Sequence, residues 1–168
     1  VKVLGLDPGA TTGWCLYVDT ELGRYVEACG EFREHMVPQD VLHRRCDHVV
    51  IERPKGYGPT RPQVVDCGYV CGRLVEQFAL VHAAQELTRL EVCQALTEAT
   101  CGVVRVKNDG TAWAALVLLH GDDSARKPKR RKGVVVDAGG PLGLVTGHAR
   151  AALAVAVAFV LRRGASVA

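Results

Sequence analysis

The chain has 168 residues, 48% of them hydrophobic, which is enough for one domain with a buried core. Its 21 basic and 18 acidic residues leave a formal charge of +3, too small to mark a nucleic-acid binder by overall charge alone. Seven cysteines, an odd number with no Cys-x-x-Cys pair, argue against a disulfide framework or a zinc ribbon and for a reducing, cytoplasmic setting.

The opening run Val1 to Leu6 is almost continuously aliphatic, as in a strand buried on both faces, and it leads into Asp7-Pro8-Gly9 rather than a signal-peptide cleavage site. Gly13 to Val18 and Arg24 to Phe32 read as two further strands joined by a turn at Asp19 to Gly23, making an antiparallel meander. Glu34 to Arg45 has loosely helical spacing and leads into the strand His48 to Glu52. The Pro- and Gly-rich stretch from Arg53 to Pro59 is a loop, and Pro62 to about Val81 is a helix with Pro62 suited to its first turn.

Leu87 to Val92 and Gly102 to Lys107 read as short strands, Thr111 to His120 as a helix, and Thr146 to Arg162 as a last, Ala-rich helix. The longest apolar run, Ala151 to Leu161, is shorter than the roughly 20 residues that span a bilayer. A basic loop is expected at about 121–140. Within it Arg126, Lys127, Lys129, Arg130, Arg131 and Lys132 put six cations in seven residues, a solvated segment suited to phosphate contact if a nuclease site lies nearby. Three strands, a crossover and then alternating helices and strands predict a single α/β domain over residues 1–168. The plan is a mixed sheet, three strands antiparallel and the rest parallel, flanked by helices.

Asp7 and Glu52 each end an apolar strand, so neighbouring strands of one sheet place both acids at the same edge. Alone, an Asp before Pro-Gly initiates a turn and a strand-end Glu is a solvated cap. Together they repel, and a divalent ion satisfies both. His148 opens the last helix, where a His is more often a surface residue than a ligand.

Three segments carry a resemblance: Gly5-Leu6-Asp7-Pro8-Gly9-Ala10-Thr11-Thr12-Gly13-Trp14, Val49-Val50-Ile51-Glu52, and Gly147-His148-Ala149-Arg150-Ala151-Ala152-Leu153-Ala154. In order and separation they resemble the signature regions of RuvC-type Holliday junction resolvases, especially the phage-encoded branch. The resemblance implies a ribonuclease-H-like fold with a mixed five-stranded sheet, and a homodimer that cuts four-way DNA junctions using two Mg²⁺ or Mn²⁺ ions, with no nucleotide cofactor. It makes Asp7, Glu52 and His148 the metal ligands and Lys107 a group that contacts the scissile phosphate. Lys55, Tyr57 and Arg61, in the loop after Glu52, become DNA contacts with Tyr57 stacking at the opened junction.

The family's second helical acid is absent, because Ala151 stands at its position, three residues after His148 on the same helical face. One metal site is therefore expected to bind weakly. Position 151 is either a change introduced into an active sequence or a natural loss or rerouting of the ligand. The other readings are a non-catalytic junction-binding protein and a related nuclease acting on other substrates. An actin-like kinase, suggested by the Asp7 to Thr12 turn, needs two duplicated domains.

Overall fold

The computed structural model describes residues 1–33, 36–54, 62–79, 81–120, 129–131, 134–137 and 142–165. Strands β1 (Lys2–Asp7), β2 (Thr12–Thr20) and β3 (Gly23–Phe32) form the expected antiparallel meander. A short helix α1 (Gln39–Leu42) precedes β4 (His48–Arg53), which returns parallel to β1. Helix α2 (Pro62–Ala79) leads to β5 (Ala84–Thr88), parallel to β4, so the five-stranded sheet has the order β3-β2-β1-β4-β5. Helices α3 (Arg89–Ala99) and α4 (Asp109–His120) follow, then a two-stranded hairpin of β6 (Lys129–Arg131) and β7 (Val134–Asp137), and finally α5 (Ala149–Ala165). This is a ribonuclease-H-like fold.

Strand periodicity divides the core in two. Leu4, Leu6, Trp14, Leu16, Val49 and Ile51 point to one face, where Val70, Leu74 and Phe78 of α2 cover them. Val3, Cys15, Tyr17 and Val50 point to the other, against α3, α4 and α5. Helix α5 is buried on every side from Ala151 to Phe159, which explains why its sequence carries no polar stripe.

Glycines set how closely α5 approaches. A Cβ on Gly5 would run into the Ala152 carbonyl oxygen, and one on Gly13 into the His148 carbonyl oxygen. Both clashes are with backbone, which cannot rotate away. Gly13→Ala is therefore expected to destabilise the fold by about 2 kcal/mol or more. That lowers the thermal midpoint by roughly 5 °C or more for a chain of this size, and a melting curve that matches the native one would contradict the close packing of β2 on α5.

Several boundaries differ from the sequence reading. Of the helix expected over Glu34 to Arg45, the described residues form only the four-residue α1, entered through Pro38 at φ -56° and ψ 141°. The strand expected over Leu87 to Val92 stops at Thr88, where a capping box starts α3: the Thr88 hydroxyl accepts from the Glu91 N–H and the Glu91 carboxylate accepts from the Thr88 N–H.

No strand forms over Gly102 to Lys107. Cys101 (φ 51°) and Gly102 (φ 76°) end α3 in left-handed conformation, and Thr97 ties the segment back by accepting the Val106 N–H. Helix α4 begins two residues before Thr111, and α5 begins at Ala149 rather than Thr146. The basic segment at about 121–140 is not loop throughout, since it contains the β6–β7 hairpin. Among the described residues, no helix is long and apolar enough to cross a membrane.

Candidate active site

Pairing of β1 with β4 aligns Leu6 with Ile51, so Asp7 and Glu52 fall side by side at the same edge. Asp7 shares its strand face with Val3 and Gly5, and Glu52 shares its own with Val50. Both acids thus point to the α5 side of the sheet. Glu52 is almost fully buried, its side chain 8% exposed, and Asp7 is 17% exposed.

A third group joins them. Arg89 is the first residue of α3, and β5 delivers it beside Glu52 because Glu52 pairs with Leu87 and Arg53 with Thr88. Its Nε lies 2.7 Å from Glu52 Oε1, its Nη1 2.7 Å from Asp109 Oδ1, and its Nη2 3.9 Å from Asp7 Oδ1. One guanidinium therefore faces three carboxylates. Glu52 Oε2 is left buried with no hydrogen-bond partner.

Burial pushes the Asp7 carboxyl up to about 6; the Arg89 charge opposes this, Asp109 adds to it, and His148 opposes it more weakly. Burial also pushes Glu52 up to about 7, again against Arg89, with repulsion from Asp7 and Asp109 adding to the rise. For Arg89, burial works against the charge, but Glu52, Asp109 and Asp7 outweigh it and hold its pKa above the ordinary value.

The raised carboxyl pKa values have a consequence for stability. An acid whose pKa is higher in the folded state binds more protons when folded, so its contribution favours folding below the unfolded value and is lost as pH rises through the folded one. With chelator present, the pair is expected to make the protein progressively less stable as pH rises from about 4 to about 7, from the ordinary carboxyl range through the folded-state values. Urea melts across that range check the slope, which should flatten in a chain carrying both Asp7→Asn and Glu52→Gln; a slope unaltered by those changes would place its origin elsewhere.

His148 is exposed on the turn that enters α5. Its backbone N–H donates to Glu31 Oε1 at 2.6 Å, and Gly147 before it adopts φ +53°. Ala151 is buried one turn on. Asp7, Asp109, Trp113, His148, Arg150 and Ala151 line a cavity of about 320 Å³, with the Arg150 guanidinium stacked 4.4 Å over the Trp113 ring. Asp7, His148 and position 151 are thus brought together, and Glu52 stands beside Asp7.

Lys107 is exposed on the loop that enters α4, not at a strand end, and its backbone N–H donates to Thr111 Oγ1. Lys55, Tyr57, Arg61, Arg126, Lys127 and Lys132 lie outside the described residues, and for Lys129, Arg130 and Arg131 only the β6 backbone is described. Sequence reasoning missed Arg89 and Asp109. The Thr88-x-x-Glu91 capping box was the available signal for Arg89, since it marks a helix start where a strand was expected.

Among the described residues, no three His, Cys, Asp or Glu side chains close around one point as a metal-ligand set. Mg²⁺ does not demand such a cage, because it keeps several waters and is held by one or two carboxylates and the substrate's phosphate. The hard oxygen donors of Asp7 and Glu52, with the orphaned Glu52 Oε2, fit a cation of that kind.

No family model matches the chain, and no curated protein does. Solved structures do. The chain is similar to Thermus thermophilus RuvC, with a TM-score of 0.66 and 17% identity over 99% of this chain and 97% of that one. It is also similar to T. thermophilus RuvC in complex with a Holliday junction substrate, with a TM-score of 0.64 and 16% identity over 98% and 96%.

Proposed function

We propose that this chain is a structure-selective DNA endonuclease of the RuvC type that resolves four-way junctions or related branched DNA as a single-domain homodimer. The observation that carries the reading is the placement of Asp7 and Glu52 side by side at adjacent strand ends, facing the cavity side where His148 and position 151 enter. The motif segments favour the phage-encoded branch of that family and an origin in a bacterial or phage-infected cell.

Asp7, Glu52 and His148 would hold Mg²⁺ or Mn²⁺, which when bound supplies a hydroxide-like nucleophile and charge stabilisation at the leaving oxygen. His148 suits Mn²⁺ at least as well as Mg²⁺. Asp7 would orient the attacking water from its strand end beside Glu52. Lys107, exposed on the loop that enters α4, would neutralise phosphate charge, and the products are a 5′-phosphate and a 3′-hydroxyl.

The cations at Arg126, Lys127, Lys129, Arg130, Arg131 and Lys132, with Lys55 and Arg61, supply sequence-independent backbone attraction. Tyr57 offers a face on which an unstacked base can rest. Two active sites related by a two-fold axis match the symmetry of a four-way junction, hence the dimer.

A second reading, a non-catalytic junction binder, is motivated by Ala151 and by the Arg89 cation among the acids. One panel of substrates separates the readings: a four-way junction, a flap, a linear duplex and an RNA–DNA hybrid, each incubated with Mn²⁺ and with Mg²⁺. The expected outcome is paired nicks in the four-way junction at rates at least tenfold above duplex. Preferential cutting of the hybrid would favour a ribonuclease, and tight junction binding without nicks would favour the non-catalytic reading.

A further inference from the structure

The guanidinium of Arg89 occupies ground that carboxylates at a two-cation centre would surrender to an ion. It lies 2.7 Å from Glu52, 2.7 Å from Asp109 and 3.9 Å from Asp7. A guanidinium stays protonated throughout the physiological range, so its charge is permanent. Three carboxylates and one guanidinium carry a net charge of 3 − 1 = 2 negative units when ionised. A single divalent ion balances that charge; two would overshoot it by two units.

The shape of the site agrees with its charge. Arg89 lies against Glu52, and the open cavity is bordered by Asp7, Asp109, His148 and Ala151 but not by Glu52 or Arg89. Asp7 and Asp109 thus adjoin both a half already filled by a tethered cation and a half with room for an ion and its waters. Asp7 Oδ1 lies 3.9 Å from Arg89 Nη2.

Resting on the nuclease reading above but revising its ligand set, we propose that Arg89 permanently takes the place of the second cation, so that this chain binds one divalent ion, on the cavity side between Asp7 and His148, while Glu52 pairs with Arg89 instead of holding an ion. Arg89 is then a positioning residue for Glu52 and Asp7 and a fixed source of positive charge beside the phosphate. Asp109 steers the guanidinium from the start of α4, so its carboxylate serves Arg89 rather than replacing the missing acid at position 151. A tethered cation avoids assembling a second ion, and it explains how the chain keeps Glu52 buried without the acid at 151.

Counting bound Mn²⁺ tests this without any need for cleavage. Metal-free protein is titrated with Mn²⁺, and bound ion is counted from the loss of the free-ion electron paramagnetic resonance signal, with calorimetry as a second measure. The native chain is expected to saturate at one ion per chain. Arg89→Met opens the Glu52 half and should bind a second, weaker ion, whereas Arg89→Lys keeps a cation there and should stay at one.

Should Arg89→Met fail to fold, the native chain and Arg89→Lys still decide the matter. Two ions on the native chain, or one ion on a folded Arg89→Met, would overturn the assignment of Arg89 while leaving the nuclease reading intact. No ion on any variant up to millimolar Mn²⁺ would overturn both.

Discussion

Ala151→Asp is expected to raise Mn²⁺-dependent cleavage of a four-way junction by on the order of 10- to 100-fold, the range that even outer-shell partners contribute to metal affinity or activity. Ala151 is 5% exposed, lies one turn after His148, and borders the same cavity as Asp7. A carboxylate there joins His148 on one helical face and adds an anionic ligand on the side that Arg89 leaves open. The gain should be largest at limiting Mn²⁺, because it acts through metal affinity. Initial rates over a Mn²⁺ series check this, and a native chain that already cuts at the rate of the variant would show that the missing acid is not limiting.

Asp7→Asn acts in the opposite direction. Removing the charge at Asp7, which faces both Arg89 and the cavity and stands beside Glu52, takes away the acid on which the two halves of the site converge. Loss of several kcal/mol of transition-state charge stabilisation corresponds to about 10³-fold or more in rate. Stability should not fall in parallel. The Asp7 carboxyl is pushed up to about 6 by burial, so a neutral amide of the same shape removes an unfavourable buried charge and its repulsion with Asp109. Single-turnover rates and thermal midpoints measured together distinguish this from misfolding, since a folding defect would lower both.

The strands of the meander and β4 were legible because their patterns are local and strong. A buried parallel strand reads as an apolar run, and a hairpin declares itself at its turn. That legibility extended to the acids, since a strand order that pairs β1 with β4 was enough to set Asp7 beside Glu52.

Arg89 and Asp109 were not legible as site residues, because both enter at helix starts misplaced in the sequence reading. Leu87 to Val92 has the apolar content of a strand, and the Thr88–Glu91 capping box overrides it. The β-branched run around Val103 to Val106 likewise looks like a strand, but a left-handed turn at Cys101 and Gly102 and the tie to Thr97 hold it as an irregular connection. The exclusion of polar residues from α5 was visible, while its cause, the close approach over Gly5 and Gly13, depends on partners more than 130 residues away in sequence.

Cleavage of a labelled four-way junction in Mn²⁺ by the native chain, by Ala151→Asp, and by Ala151→Asp combined with Asp7→Asn bears most directly on the nuclease assignment. Expected are paired, symmetric nicks with 5′-phosphate ends, faster with Ala151→Asp and lost when Asp7→Asn is added. Tight junction binding with no nicks from any of the three, or nicking that survives Asp7→Asn, would contradict it.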